Sequence, residues 1–288
     1  MKKSRITNIL FLLPVLIPFT VVIITPFFVG TFYSLTDWDG MGFNNFVGLA
    51  HYIEIFTSRG FTYSLIITAL FTIVNMICVN VVAFSFALLC TQSTKVTNFC
   101  RMCFFVPNLI GGIVLGHVWR FIFNDVLRPI FMENSMLADA NQAFFTIVIV
   151  STWQMAGWIM MIYITGLQTI PRDILEASSI DGATNFKKMI KIKMPMIMNT
   201  FTVCIFLTLV RSFQIFDLNF ALTQGGPARI LDNRAIQATE FIALNIYNTS
   251  VIRREFALGQ AMAVVFFIAL AIISLTQVYI SKKKEVEM

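Results

Sequence analysis

Side chains able to do chemistry are few in this sequence and unevenly placed. Cys100 and Cys103 form a CxxC pair, the spacing by which two thiolates hold a metal or exchange a disulfide. A tetrahedral site needs two more ligands, and His51 and His117 stand elsewhere in the chain, so the pair reads as packing. Cys78, Cys90 and Cys204 lie in apolar runs and read the same way. No GxxxxGK(S/T) phosphate loop, GxSxG elbow or HExxH pair occurs. The expectation is a chain with no catalytic residue, no metal and no cofactor of its own.

What remains is a set of polar and aromatic side chains inside apolar stretches: Asn75, Asn80, Trp153, Gln154, Trp158, Arg211, Gln214, Asp217 and Asn219. A polar group at membrane depth is costly, so each marks either a path for a polar solute or a hydrogen bond between helices. Arg211, Gln214 and Asp217 recur every three residues and would share one helical face, Arg211 and Asp217 balancing each other across a turn. Trp119 and Arg120 read as interfacial anchors.

Holding such residues in place requires a scaffold that lives in lipid. The chain has 288 residues, 57% of them hydrophobic and only 12% charged, and its mean hydropathy is +0.79; a soluble domain carries about 25% charged residues. A hydrocarbon core of about 30 Å takes about 20 helical residues to cross. The neutral stretches supply six candidate spans, at roughly 8–33, 63–91, 102–123, 144–168, 197–220 and 256–280. The runs are continuous rather than alternating, which excludes a β-barrel. The expected fold is all-α, a single membrane domain over residues 1–288. The first run is too long for a secretion signal and lacks a small-residue cleavage pattern, so it is read as a retained helix. Pro14, Pro18 and Pro26 should bend or break it.

Basic residues in short loops stay on the cytoplasmic side, which fixes orientation. With the N-terminus inside, the inside segments carry thirteen basic against five acidic residues, and the outside segments six against ten. All ten lysines fall inside. An even number of spans with both termini cytoplasmic follows, and the net charge of +6 reports topology rather than a polyanionic partner.

Between spans four and five lies a segment too polar to cross a membrane and too patterned for a linker, residues 169–196. Pro171 suits the first position of a helix, Asp173 and Glu176 its early turns, and Gly182 its end. Thr184 or Asn185 would cap a second short helix ending before Pro195. Ile174, Leu175, Ala177 and Ser178 would then offer a small, apolar surface beside Phe186, Met189, Ile190 and Ile192. Such a pair either docks on a partner or lies on the lipid headgroups, for which Lys187, Lys188, Lys191 and Lys193 are suited.

The segment EASSIDGATNFKKMIKIKMP resembles the EAA loop of bacterial ABC-importer permeases, EAAxxDGA followed by IxLP: Glu176, Ala177, Asp181, Gly182, Ala183, Phe186, Ile192 and Pro195 stand at matching positions. Phe216 to Pro227, FDLNFALTQGGP, is similar to the FDxxxxLTxGGP segment of carbohydrate permeases. Leu13-Pro14, Pro26, Tyr33-Ser34 and Phe46 to Leu49 are similar to the start of the first subunit of such pairs. Ser178 replaces the third residue of EAA, Met194 the usual Leu before Pro195, and Asn199 stands near the place of a second proline.

The resemblance implies a non-catalytic permease of a bacterial cytoplasmic membrane, spanning it several times and importing a carbohydrate or related polyol. It implies a second EAA-type permease, two ATPase subunits holding ATP and Mg, an extracytoplasmic solute-binding protein, and no nucleic acid. Glu176, Ala177, Ser178, Asp181, Gly182, Ala183, Phe186, Ile192 and Pro195 would couple to the ATPase, Ala177 and Ser178 permitting close approach. Trp153, Gln154, Arg211, Gln214, Asp217 and Asn219 are the candidate solute path. A self-contained secondary transporter or channel is the alternative; it would need an intramembrane acid, and Asp217 is the candidate.

Overall fold

The structure, a computed structural model, describes residues 2–92, 94–131, 134–231 and 234–283. Helices account for most of it, as a chain in lipid must satisfy its backbone internally. Four segments are long and apolar enough to cross a bilayer: Phe11–Tyr33, Arg59–Cys90, Ala140–Gln168 and Phe256–Lys282. Two further segments pass that test only as bent pairs, Lys95–Leu109 with Gly112–Ile130 at 98° and Asn185–Met196 with Met198–Phe213 at 73°. The count reaches six when each pair is taken as one span. The expected spans at 102–123 and 197–220 coincide with these bent pairs: the first is interrupted at Ile110 and Gly111, and the second bends at Ile197, where it begins, and leaves the helix again at Gln214.

The prolines of the first span do not break it. α1 (Lys2–Phe19) contains Pro14 and Pro18, a π-helical turn covers Thr20–Ile24, and α2 (Thr25–Tyr33) carries Pro26 in its first turn. The wider turn lets Thr25 bond through both its N–H and its hydroxyl to the Thr20 carbonyl, absorbing a misfit that would otherwise end the helix. Side chains from Phe11 to Pro26 are exposed, as lipid-facing groups would be.

The described residues form two compact units. The first comprises residues 1–62 and 245–268. After α2 its chain turns through a loop in which the Asp37 carboxylate accepts the backbone N–H groups of Asn44 at 2.8 Å and Asn45 at 2.9 Å. α3 (Ala50–Thr57) follows, with Tyr52 bonded to Ser34 at 2.7 Å. Tyr33 stacks on Trp38 at 4.5 Å, and Phe27 packs on Phe267, at the first half of the helix numbered α15 below.

The second unit, residues 63–244 and 269–288, holds the remaining helices. They are α4 (Arg59–Cys90), α5 (Lys95–Leu109), α6 (Gly112–Phe121), α7 (Arg128–Phe131), α8 (Ala140–Gln168), α9 (Arg172–Ile180), α10 (Asn185–Lys188), α11 (Met194–Met196), α12 (Met198–Phe213) and α13 (Asp217–Leu222). α14 (Ile242–Tyr247) and α15 (Phe256–Lys282) complete the chain. The all-α expectation holds, and the strands among the described residues are two short antiparallel ones, β1 (Ala228–Leu231) pairing with β2 (Arg234–Gln237).

α8 is the central helix of this unit. Its Ile159, Met160 and Tyr163 pack with Val79, Ala83 and Ala87 of α4 and Cys204 of α12. Its Ile147 and Phe144 belong to a second cluster with Phe71, Leu115, Leu222 and Phe241. Helices in lipid gain little from burying apolar surface against each other, so close approach of backbones matters more. Glycines supply it: a Cβ on Gly157 of α8 would lie 1.8 Å from the Phe104 carbonyl oxygen of α5. Gly112 and Gly116, one turn apart on α6, admit Asp217 and Ala221, one turn apart on α13, in the same way.

Candidate functional site

Two features of the second unit bear on function, a cavity at the helix breaks and a helix pair at 172–196. The cavity begins with backbone chemistry. Pro107 supplies no N–H near the end of α5, Ile110 is extended, and the helix resumes only at Gly112. On the other side α12 stops at Phe213, and the chain passes through Gln214 and Phe216 in non-helical conformations before α13. Irregular backbone at membrane depth is tolerated where it lines a polar cavity. Residues of both breaks line one cavity of about 360 Å³.

Its polar groups are Asn108, Ser151, Gln154, Arg211, Gln214 and Asp217. Gln154 of α8 donates Nε2 to the Ile110 carbonyl at 3.0 Å, filling a bond the helix break left open. Arg211 lies over Trp158, one turn along α8, with the guanidinium carbon 5.0 Å from the ring centroid. Cation and ring face attract at that range. Arg211, Gln214 and Asp217 are all exposed to the cavity.

Of the six candidate path residues, the structure brings four together: Gln154, Arg211, Gln214 and Asp217. They do not share a helical face as the three-residue spacing suggested, because α12 ends before Gln214 and Asp217 opens a new helix. Arg211 and Asp217 are also not paired at ion-pair distance. The other two candidates are corrected. Trp153 points away into an apolar groove with Cys78, Phe86 and Phe104, edge-on to Trp119 at 5.5 Å. Asn219 is fully buried, its Nδ2 bonded to the Thr239 carbonyl at 2.8 Å, so it fastens α13 to the segment after the hairpin.

Asn75 and Asn80 resolve as fasteners between helices. Asn75 donates to Ser212 at 2.8 Å, and Asn80 donates to Thr208 at 2.9 Å while accepting from Tyr163 at 2.7 Å. Sequence reasoning passed over Asn108 and Ser151. Pro107 and the Gly111-Gly112 pair inside an apolar run were the available signal for Asn108, since such interruptions mark broken membrane helices.

In the helix pair, Pro171 caps α9, and the helix ends in a reciprocal arrangement: Gly182 N–H bonds to the Ser179 carbonyl at 3.2 Å and Ala183 N–H to the Ser178 carbonyl at 3.0 Å. That turn requires φ of +74° at Gly182. Thr184 accepts the Lys187 N–H and starts the second helix, and Lys188 Nζ bonds to Ser179 Oγ across the pair. Glu176, Ala177 and Asp181 are exposed, as are Ile180 and Phe186, at 88% and 73%. Ala183, Ile192 and Pro195 are half-buried.

Two expectations about this pair are corrected. Ser178 is buried, not part of an outward surface, because its hydroxyl is bonded to the Leu175 carbonyl at 2.8 Å and that side of α9 packs inward. The second helix does not end before Pro195 but runs on through α11, since a π-helical turn at Met189–Lys193 places the proline in a first-turn position.

The model of the family described as binding-protein-dependent transport system inner membrane component matches residues 58–286. The probable starch degradation products transport system permease AmyD of Thermoanaerobacterium thermosulfurigenes is 40% identical over 292 aligned positions, covering 99% of this chain and 97% of that protein. The trehalose/maltose permease MalF of Thermococcus litoralis is 29% identical over 94% of this chain and 91% of its own. The sn-glycerol-3-phosphate permease UgpA of Agrobacterium fabrum is 28% identical over 78% and 77%. Among solved structures, a bacterial ABC transporter that imports the acidic polysaccharide alginate superposes with a TM-score of 0.80 at 16% identity, over 98% of this chain and 96% of that one. At that identity the likeness establishes the fold.

Proposed function

This chain belongs to the binding-protein-dependent transport inner-membrane-component family, and from that premise we propose that it imports a carbohydrate and takes its energy through the helix pair at 172–196. It is a multi-pass subunit of the bacterial cytoplasmic membrane and a permease of an ABC importer, itself not an enzyme. Family membership sets aside the reading as a self-contained secondary transporter. Our reading is that a second EAA-type permease completes the path, that two ATPase subunits bind ATP and Mg beneath, and that an extracytoplasmic binding protein delivers the solute.

The observation that carries the coupling role is the exposure of two large apolar side chains on a segment too polar to be a membrane span. Ile180 and Phe186 flank the Gly182 turn, are largely exposed, and sit on a pair joined by the Gly182 cap and the Lys188–Ser179 bond. Two large apolar groups on a stiff polar support suit a protein cleft better than solvent. Ala177 lets a partner approach, and Glu176 and Asp181 offer carboxylates to its cations. The half-buried Ala183, Ile192 and Pro195 transmit the motion into α12. The cavity lined by Gln154, Arg211, Gln214 and Asp217 is the solute path on this subunit, its mixture of amides and charges matching hydroxyl groups. The carbohydrate class draws support from relatives named for starch products, trehalose and maltose.

Co-expression with the ATPase tests the coupling role. Phe186→Asp should insert in the membrane at the normal level yet lose most co-purifying ATPase. Retention of the ATPase at the unaltered ratio by an Ile180→Asp, Phe186→Asp double variant would overturn it.

A further inference from the structure

The cavity contains a cation with two alternative partners, only one of which it is using. Arg211 lines the cavity and covers Trp158, whose ring does not itself reach the cavity wall. The second partner is the Asp217 carboxylate, which lines the same cavity and forms no ion pair among the described residues. Arg has five N–H donors and a planar fork that fits a carboxylate at least as well as an aromatic face. The guanidinium thus covers an indole while a carboxylate lines the same cavity of about 360 Å³, and moving it from the first to the second would uncover the Trp158 face.

We propose that Arg211 is a placeholder on Trp158: an uncharged sugar ring takes the indole face, the guanidinium moves to Asp217, and the cavity thereby admits neutral sugars in preference to anionic ones. This rests on reading the cavity as the solute path. The C–H face of a pyranose and a guanidinium both seek the negative face of an indole, so they compete for one surface. Gln154 and Gln214 supply amide donors and acceptors for the hydroxyls. A carboxylate or phosphate on the solute would meet Asp217 in the same confined space, and the two anions would then share the single cation Arg211. The one cation and one anion of the lining balance, so the cavity offers an acidic solute no net attraction. Relatives of this chain include permeases named for neutral sugars and for an acidic phosphate ester, so the distinction is a real choice within the family.

The test uses the assembled transporter in lipid nanodiscs without its binding protein, so that the binding protein's own selectivity does not enter. Maltotriose and a trisaccharide ending in glucuronate are the probes. Tryptophan emission is recorded for the unaltered protein and for Trp158→Phe, and the difference isolates Trp158. Maltotriose should change that difference signal at a concentration at least about ten-fold below the acidic sugar, since juxtaposed like charges are disfavoured by more than that factor. Asp217→Asn should shrink the ratio to less than about three-fold by removing that repulsion. Arg211→Gln should leave Trp158 responsive to maltotriose while blue-shifting its resting emission, a change that mere loss of structure would not give. An acidic sugar that binds as well as maltotriose, or a ratio unmoved by Asp217→Asn, overturns the placeholder and leaves the solute path standing. If neither sugar perturbs Trp158 and Gln214→Ala leaves uptake unchanged, the solute path falls and the placeholder with it.

Discussion

Gln154 donates its side-chain amide to the carbonyl of Ile110 at 3.0 Å, joining the middle of the central helix to the point where its neighbour breaks. The bond does for the break what the helix would have done for itself. Without it the carbonyl faces the cavity alone. Gln154→Leu should therefore lower stability by about 1 kcal/mol, the lower end of the range for an unsatisfied group, since cavity water takes part of the load. Thermal unfolding of the purified transporter measures this directly. A melting temperature unchanged by the substitution would mean that the break is held by packing at Gly112 rather than by the amide.

Gly157 makes the sharpest steric prediction. A methyl group there would lie 1.8 Å from the Phe104 carbonyl oxygen, and the obstacle is backbone rather than a side chain that could swing aside. Gly157→Ala should force α5 and α8 apart and cost about 1–3 kcal/mol, the usual penalty for overpacking. Gly60→Ala, where only a serine hydroxyl lies near, is the matched control. Membrane-inserted yield and melting temperature should fall for the first and hold for the second.

The spans were legible in the sequence because lipid imposes a single crude demand, an uncharged run long enough to cross. The breaks were not, because hydropathy averages over a bend. Leu109 and Gly112 are equally at home in an apolar window, and only Pro107 and the paired glycines hinted at the 98° turn. Trp153 and Trp158 show the same limit on a smaller scale. At about 100° per residue, five positions put them on different sides of α8, and the sequence does not say which side meets α12. Gln154 and Trp158, four apart, share a face, yet the candidate path took Gln154 with Trp153 and left Trp158 out, because spacing alone does not show which face meets α12. Arg211, Gln214 and Asp217 were grouped rightly for a wrong reason: the chain leaves the helix between them, and the cavity gathers them instead.

Asn80 joins three helices, donating to Thr208 of α12 at 2.9 Å and accepting from Tyr163 of α8 at 2.7 Å. Hydrogen bonds between membrane helices average about 0.6 kcal/mol. Tyr163→Phe removes one and keeps the ring against Phe84 and Phe201, so a loss near that average is expected. Asn80→Leu removes both; Thr208 keeps its bond to the Cys204 carbonyl at 2.8 Å, but the Tyr163 hydroxyl loses its Asn80 partner in the core, so the loss should exceed that of Tyr163→Phe. Additive losses in the double variant, measured by denaturant titration in detergent, would contradict a shared network.

Gly182 separates the energetics of folding from those of coupling. Its φ is +74°, but nothing lies within 4 Å of the position a Cβ would take, so substitution there meets backbone strain and no clash. Gly182→Asn should be tolerated, since Asn visits the left-handed region, whereas Gly182→Val should cost about 1–2 kcal/mol of local strain. That cost falls on a turn between two short exposed helices, not on the helical core, so the Val variant should still insert and melt within a few degrees of the unaltered protein. It should relax by turning the second helix away from α9, breaking the Lys188–Ser179 bond and separating Ile180 from Phe186. If those two side chains form one docking surface, solute-stimulated ATP hydrolysis in the assembled transporter falls steeply for Val and little for Asn. Equal activity in both variants would place the coupling surface elsewhere on the subunit.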